Sequence, residues 1–207
     1  MRLSIDCFVR GSDALGECPV WDDTLRILRW VDIRAPALKR CDASGSELKV
    51  LPLRESIGSF ALRAAPGSLV AAMRSGLYFL DADSGERTTV ARPEADLQGN
   101  RFNDGRCDRA GRFWAGTMNE NESDPSGSLW RLDADGRCTR MRGDVVIPNS
   151  IACSPDGRTL YFADTPRQRI WALACDPPTG DITGERVFAE TPGPFGGPDG
   201  SCVDAEG

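Results

Sequence analysis

The sequence predicts an all-β fold assembled from a repeated unit of four short strands, the pattern of a β-propeller. Three observations predict it. Short apolar or alternating runs dominate, and helical periodicity is scarce. Gly, Pro, Asp and Asn punctuate those runs every 8 to 12 residues. A strand–turn–strand unit also recurs, as FALRAAPGSLVAAM, DGRCDRAGRFWAGT, SIACSPDGRTLYFA and GSCVDAEG. Its turn glycines, Gly67, Gly111, Gly157 and Gly207, lie 44, 46 and 50 residues apart. A period in this range, with four strands per unit, reads as propeller blades. A β-sandwich is the rival architecture, but it does not predict so regular a repeat.

Taken in order, LRILRWVDI belongs to a first unit whose turn is DDT, with Leu25 at the place of the later glycines. GSLVAAMRSGLYFLD follows in the second unit. GRFWAGTM and GSLWRLD belong to the third, and RTLYFADT and QRIWALAC to the fourth. Tight turns are marked at ADSGE, DADGR, SPDGR and DAEG, where Asp and Gly supply the backbone geometry a hairpin requires.

Composition narrows the function. The 207 residues are 40% hydrophobic and 27% charged, enough for a sizeable core. A net charge of −6 disfavours nucleic acid as a partner. No apolar run is long enough to span a membrane, and MRLSIDCFVR does not read as a signal peptide, so a cytoplasmic location is expected. The eight cysteines include no CxxC pair and are read as buried, reduced thiols at strand positions. Histidine is absent, which excludes Ser-His-Asp and Cys-His catalysis and His-based zinc sites.

The repeat itself points to a site. Eight residues before each turn glycine stand Ser59, Asn103, Asn149 and Asp199, and the same step from Leu25 reaches Glu17. The first strand of each blade lines the central channel, so these positions should converge at one of its mouths. Two carboxylates and two amides form an oxygen donor set suited to a hard divalent cation. The plainer alternative is that they solvate a wet channel or cap turns. Arg101 stands two residues before Asn103, and strand alternation would put both on the channel side. There it would either grip a substrate oxygen or form a structural ion pair. Asp104 is read as serving a turn before Gly105, and Asp204 and Glu206 as solvated.

LGECPVW, QGNRFNDGRCDRAGRFWAGTM, IPNSIACSPDGRTLYFADT and GGPDGSCVDAEG together resemble, in order, the hallmark stretches of the gluconolactonase/SMP-30/regucalcin family. The resemblance implies a six-bladed propeller carrying one divalent cation (Ca, Zn, Mg, Mn or Fe) near its axis. It implies Glu17, Asn149 and Asp199 as metal ligands, with Asp199 also catalytic, as the base. Arg101, Asn103 and Glu120 would contact the substrate, a sugar lactone opened to its aldonic acid. At Glu120 the run GTMNENE departs from the usual family pattern.

Six blades of roughly 45 residues take about 270 residues, so this chain accounts for about four and a half. The expectation is one propeller domain over residues 1–207, truncated so that its C-terminal blades are missing. The strand around Leu3 to Val9 would then lack its partner in the final blade. Three alternatives stand beside the lactonase reading: a non-catalytic metal-binding regulatory propeller, a related hydrolase of phosphotriesters or other esters, and a truncated inactive product.

Overall fold

The computed structural model describes residues 5–193 and 196–207. They form four four-stranded antiparallel sheets, each a meander in which consecutive strands pair. The first sheet holds β1 (Gly16–Asp22), β2 (Ile27–Asp32), β3 (Ala37–Asp42) and β4 (Lys49–Pro52). The second holds β5 (Ile57–Leu62), β6 (Ser68–Met73), β7 (Gly76–Asp81) and β8 (Arg87–Ala91). The third holds β9 (Asn100–Cys107), β10 (Phe113–Asn119), β11 (Gly127–Leu132) and β12 (Cys138–Val145). The fourth holds β13 (Pro148–Cys153), β14 (Thr159–Asp164), β15 (Arg169–Cys175) and β16 (Ile182–Glu190). Helical structure among the described residues is one 3₁₀ turn, Thr165–Arg167. No helix there is long and apolar enough to cross a membrane.

The core lies between successive sheets. Side chains alternate across a strand, so a sheet covered on both sides needs apolar residues at consecutive positions. The run SLVAAM shows this: Leu69, Ala71 and Met73 of β6 pack toward the first sheet, with Val31, Leu38 and Ile57. Val70 and Ala72 face the other way, onto Phe102, Phe113 and Leu132 of the third sheet. In β10, Phe113 and Ala115 join that second cluster. Trp114 points into a third cluster with Leu129, Ile151, Leu160, Phe162 and Leu173. Three clusters thus join four sheets pairwise, the stacking of a propeller.

The turn glycines behave as the repeat implies. Gly67, Gly111, Gly157 and Gly207 all have left-handed backbones, with φ of 75°, 83°, 69° and 101°. In the first unit the left-handed residue is Arg26 (φ 55°), one place later than the Leu25 inferred from spacing. There Asp22 substitutes for glycine's permissiveness, its Oδ1 accepting the Thr24 and Leu25 amides at 3.1 and 3.0 Å.

Two expectations need correction. The final half unit does not form a strand: residues 196–207 make isolated contacts rather than a ladder of paired amides and carbonyls. Nor are the thiols uniformly buried. All eight are free, but Cys7 and Cys202 are exposed because their segments lie outside any sheet, and of the rest Cys41 alone is fully buried. The strand expected around Leu3 to Val9 falls partly outside the described residues, and its residues 5–9 are not in a strand.

Candidate functional site

Each sheet begins with an innermost strand, β1, β5, β9 or β13, and neighbouring members of this set pack against one another. All four carry the same irregularity. Glu17 pairs with Val31 and Val20 with Arg29, so β1 spends one residue more than its partner. The same single-residue excess occurs in β5 between Ile57 and Ser59, in β9 between Phe102 and Gly105, and in β13 between Asn149 and Ala152. A bulge bends its strand and re-aims the side chains on it. Here each innermost strand has one bulge, directly after Glu17 in β1 and Asn149 in β13, directly before Ser59 in β5, and at Asn103–Asp104 in β9. Cys18 and Ser150, directly after Glu17 and Asn149, sit in the left-handed region at φ 51° and 54°. Such backbone is costly for a side-chain-bearing residue and is concentrated at functional sites. Close approach of the inner strands also demands glycine. A Cβ on Gly58 of β5 would lie 2.5 Å from the carbonyl oxygens of Phe102 and Asn103.

Among the described residues, side-chain hydrogen bonds join the third- and fourth-sheet members of this set, and Glu17 and Ser59 take no part in them. Arg101 Nη1 donates to Asn103 Oδ1 at 2.9 Å, confirming that the two share a face. Asn103 Nδ2 donates to Asn149 Oδ1 at 3.1 Å and to the Pro148 carbonyl at 3.0 Å. Asn149 Nδ2 donates to Thr165 Oγ1 at 2.8 Å, and that hydroxyl donates to the Pro198 carbonyl at 2.7 Å. Ser150 then anchors the next residue of the same segment: its amide and its Oγ donate to the Asp199 carbonyl at 3.0 and 2.7 Å. Asp199 is therefore delivered by a docked loop rather than by a fifth inner strand, and its side chain stays exposed.

The carboxylates lie within electrostatic reach of one another. Burial, and then repulsion from Asp199 and Asp104, pushes the Glu17 carboxyl above its usual value, while Arg101 pulls it down. Asp104 is a correction to the turn role assigned it. It lies inside β9 and accepts the Ile151 amide of β13 at 2.8 Å. Burial raises its pKa, the Ile151 N–H lowers it, and Asp199 adds to the rise. Arg101 is 9% exposed and makes no ion pair among the described residues, so the structural salt bridge considered for it is not formed. Glu120 is exposed and pairs with Arg74 at 2.7 Å, next to Arg101 in one cavity. Asp204 is exposed, as expected, and caps the last turn through the Glu206 and Gly207 amides.

Two positioning residues escaped the repeat reading. Asp32, at the end of β2, accepts the Ala14 and Leu15 amides at 2.9 and 3.1 Å. Asp164, at the end of β14, accepts the Val146 and Ile147 amides at 3.1 and 2.9 Å. Each clamps the loop leading to a bulged inner strand, one before Glu17 and the other before Asn149. The signal was present as an aspartate closing the second strand in both RWVD and YFAD.

Whether these residues suit a divalent cation can be judged from the donors. Glu17 and Asp199 bring charge, Asn149 brings an amide oxygen, and the electrostatic strain on Glu17 is the strain a cation relieves. Among the described residues no three Asp, Glu, Cys or His side chains are already gathered in ligand geometry. A set of carboxylate and amide oxygens of this kind is chemically suited to a hard cation.

Comparison with known proteins is consistent in one direction. Residues 15–207 match the family described as SMP-30/Gluconolactonase/LRE-like region. The chain is 38% identical over 207 residues to a 6-deoxy-6-sulfogluconolactonase of Pseudomonas putida, covering 100% of this chain and 71% of that protein. It is 40% identical over 199 residues to an L-arabinolactonase of Azospirillum brasilense, covering 94% and 65%. Among solved structures, a calcium-binding regucalcin of Agrobacterium tumefaciens superposes with a TM-score of 0.89 at 36% identity, covering 94% of this chain and 66% of that one. The chain thus spans about two thirds of the length of these relatives.

Proposed function

Because this chain belongs to the SMP-30/Gluconolactonase/LRE-like family, we propose that it carries the catalytic face of a six-bladed propeller that hydrolyses a sugar lactone to its aldonic acid. The four sheets would be successive blades of one domain covering residues 1–207, and a ring of six would hold two more. The observation that carries this reading is the recurrence of one bulge per innermost strand beside Glu17, Asn103 and Asn149, together with the docking of the Asp199 backbone on Ser150, directly after Asn149. The lactonase names of two relatives support the same substrate class.

Glu17, Asn149 and Asp199 would hold the divalent cation. When bound, it supplies a Lewis acid for the ester carbonyl and lowers the pKa of an attacking water. Everything else is the work of this chain. Asp199 is exposed at the mouth, where its carboxylate can take the proton of the incoming water. Water would add to the acyl carbon as Asp199 takes its proton, the ring C–O bond would break, and the released alkoxide would take that proton back from Asp199 to become the hydroxyl of the open acid. Asn103 Oδ1 and the Phe102 carbonyl hold Arg101 Nη1, so the uncommitted Nε and Nη2 of Arg101 would be set for a ring oxygen before the substrate arrives. Asn103, whose Nδ2 is given to Pro148 and Asn149, would meet the substrate through its Oδ1 or position Arg101 for it. Glu120 is held by Arg74 and would accept from a sugar hydroxyl with its second oxygen.

The test is acid release from a panel of aldonolactones, with and without chelator. Acid formation that chelation abolishes and a divalent cation restores is the expected result. The rival reading, a calcium-binding regulatory propeller, is suggested by the similarity to regucalcins. It would give cation binding without acid release from any lactone.

A further inference from the structure

Arg101 borders a second feature. A cavity of about 490 Å³ opens beside it, between the first three sheets. Its walls include four arginines, Arg34, Arg54, Arg74 and Arg101, against three glutamates, Glu55, Glu120 and Glu122. The glutamates are largely committed. Glu55 accepts the Ser75 amide and hydroxyl at 2.8 Å each and pairs with Arg87, which lies outside the cavity. Glu120 is taken by Arg74. Glu122 approaches Arg34 only to 3.7 Å, with both side chains about half exposed or more.

Two guanidiniums remain without a carboxylate. Arg54 has no ion pair or side-chain hydrogen bond among the described residues. Arg101, 9% exposed, reaches only the Phe102 carbonyl at 3.1 Å and the Asn103 amide oxygen. Burial accordingly pulls the Arg101 guanidinium below its usual pKa, against the attraction of Glu120 and Glu122. A withdrawn cation lacking a counter-charge is costly, and a ligand anion is what would repay it. This positive surplus occurs in a chain whose net charge is −6, so it is not the general character of the surface.

We propose that this cavity receives an anionic substituent at the end of the substrate remote from the lactone carbonyl, a sulfonate, phosphate or carboxylate, with the unpaired Arg54 as its specificity-determining contact and Arg34, held to Glu122 only at 3.7 Å, as a secondary one. The proposal rests on the lactonase reading for its substrate and adds the charge class. Arg101 joins the cavity to the Asn103–Asn149 cluster, so a single sugar-sized molecule would place its ester at one and its anion at the other. Guanidinium forks match tetrahedral and carboxylate oxyanions bidentately, which an ammonium does not.

The experiment compares kcat/KM for gluconolactone with its 6-phospho and 6-sulfo analogues and with a carboxylate-bearing lactone, in the protein and in Arg54→Ala and Arg34→Ala/Arg54→Ala. The expected result is a preference for at least one anionic lactone of about tenfold or more, carried mainly in KM. That ratio should fall about tenfold in the double variant and shrink as ionic strength rises. An equal ratio for neutral and anionic lactones, or equal losses on both in the variants, overturns the proposal. Calorimetry with 6-phosphogluconate against gluconate separates this from failure of the lactonase reading. Tighter binding of the phosphorylated acid that Arg54→Ala weakens sustains the cavity assignment even if no lactone is opened, and indistinguishable binding overturns it.

Discussion

Replacing Asp32 by asparagine should destabilise the protein in a way that disappears in acid. Asp32 is completely buried. Its Oδ1 accepts the Leu15 and Ala35 amides at 3.1 and 3.0 Å, and its Oδ2 accepts the Ala14 amide at 2.9 Å and Lys39 Nζ at 3.3 Å. Burial alone would raise this carboxyl, but the Ala35, Ala14 and Leu15 amides and Lys39 outweigh it and take the pKa from 3.8 to about 2. A shift of that size corresponds to at most about 2 kcal/mol at neutral pH, less where solvent screens Lys39. The folded value is depressed, so the stabilisation is present above the unfolded carboxylate's pKa and is lost as pH falls through the folded one. Asp32→Asn should therefore melt some 4–8 °C lower at pH 7 for a chain of this size. The gap should close between about pH 4 and pH 2. Thermal melts of both proteins across that range provide the check. A gap that is negligible at pH 7, or that persists unchanged at pH 2, would refute the assignment of Asp32 as a charged clamp on the loop before Glu17.

Other perturbations follow from the same geometry. Glu17 carries a raised pKa from burial and its carboxylate neighbours, so its ionised form costs stability at neutral pH in the cation-free protein. Glu17→Gln should raise the melting temperature without cation by a few degrees while abolishing cation-induced stabilisation, which paired melts with and without added cation would reveal. Phe162 is 0% exposed in the cluster joining the third and fourth sheets, and Phe162→Ala should lose about 3–5 kcal/mol in urea unfolding. Cys7 and Cys202 are exposed, whereas burial pushes the Cys18 thiol up to about 12. Thiol labelling at neutral pH should modify the first two rapidly and leave Cys18 until unfolding, read by mass spectrometry of the peptides.

The parts of this fold that could be read from sequence are those governed by local backbone chemistry. Gly67, Gly111 and Gly157 mark left-handed turn positions that other residues adopt only at a cost, so their spacing exposed the repeat directly. The run GSLVAAM was likewise legible as a strand, though its burial on both faces emerged only from the packing. From the repeat followed the phase that singles out Glu17, Asn103 and Asn149. The bulges did not follow, because an extra residue in one strand is defined against its partner and leaves no trace in a single segment's pattern. Asp104 was misjudged for that reason: DG in isolation looks like a turn, but the excess residue in β9 turns the carboxylate toward β13. The ladder of a fifth unit was inferred from GSCVDAEG, yet among the described residues the segment is held by point contacts through Ser150, Thr165 and Arg106. Asp32 and Asp164 were overlooked because their partners lie 17 and 18 residues back, beyond any local motif.

The convergence of Glu17, Asn149 and Asp199 on one divalent ion is most directly examined by anomalous diffraction from crystals equilibrated with Mn²⁺. A single anomalous peak bounded by oxygen atoms of these three side chains is the predicted outcome. A peak seated elsewhere, or none at cation concentrations that saturate any binding seen in solution, would contradict it.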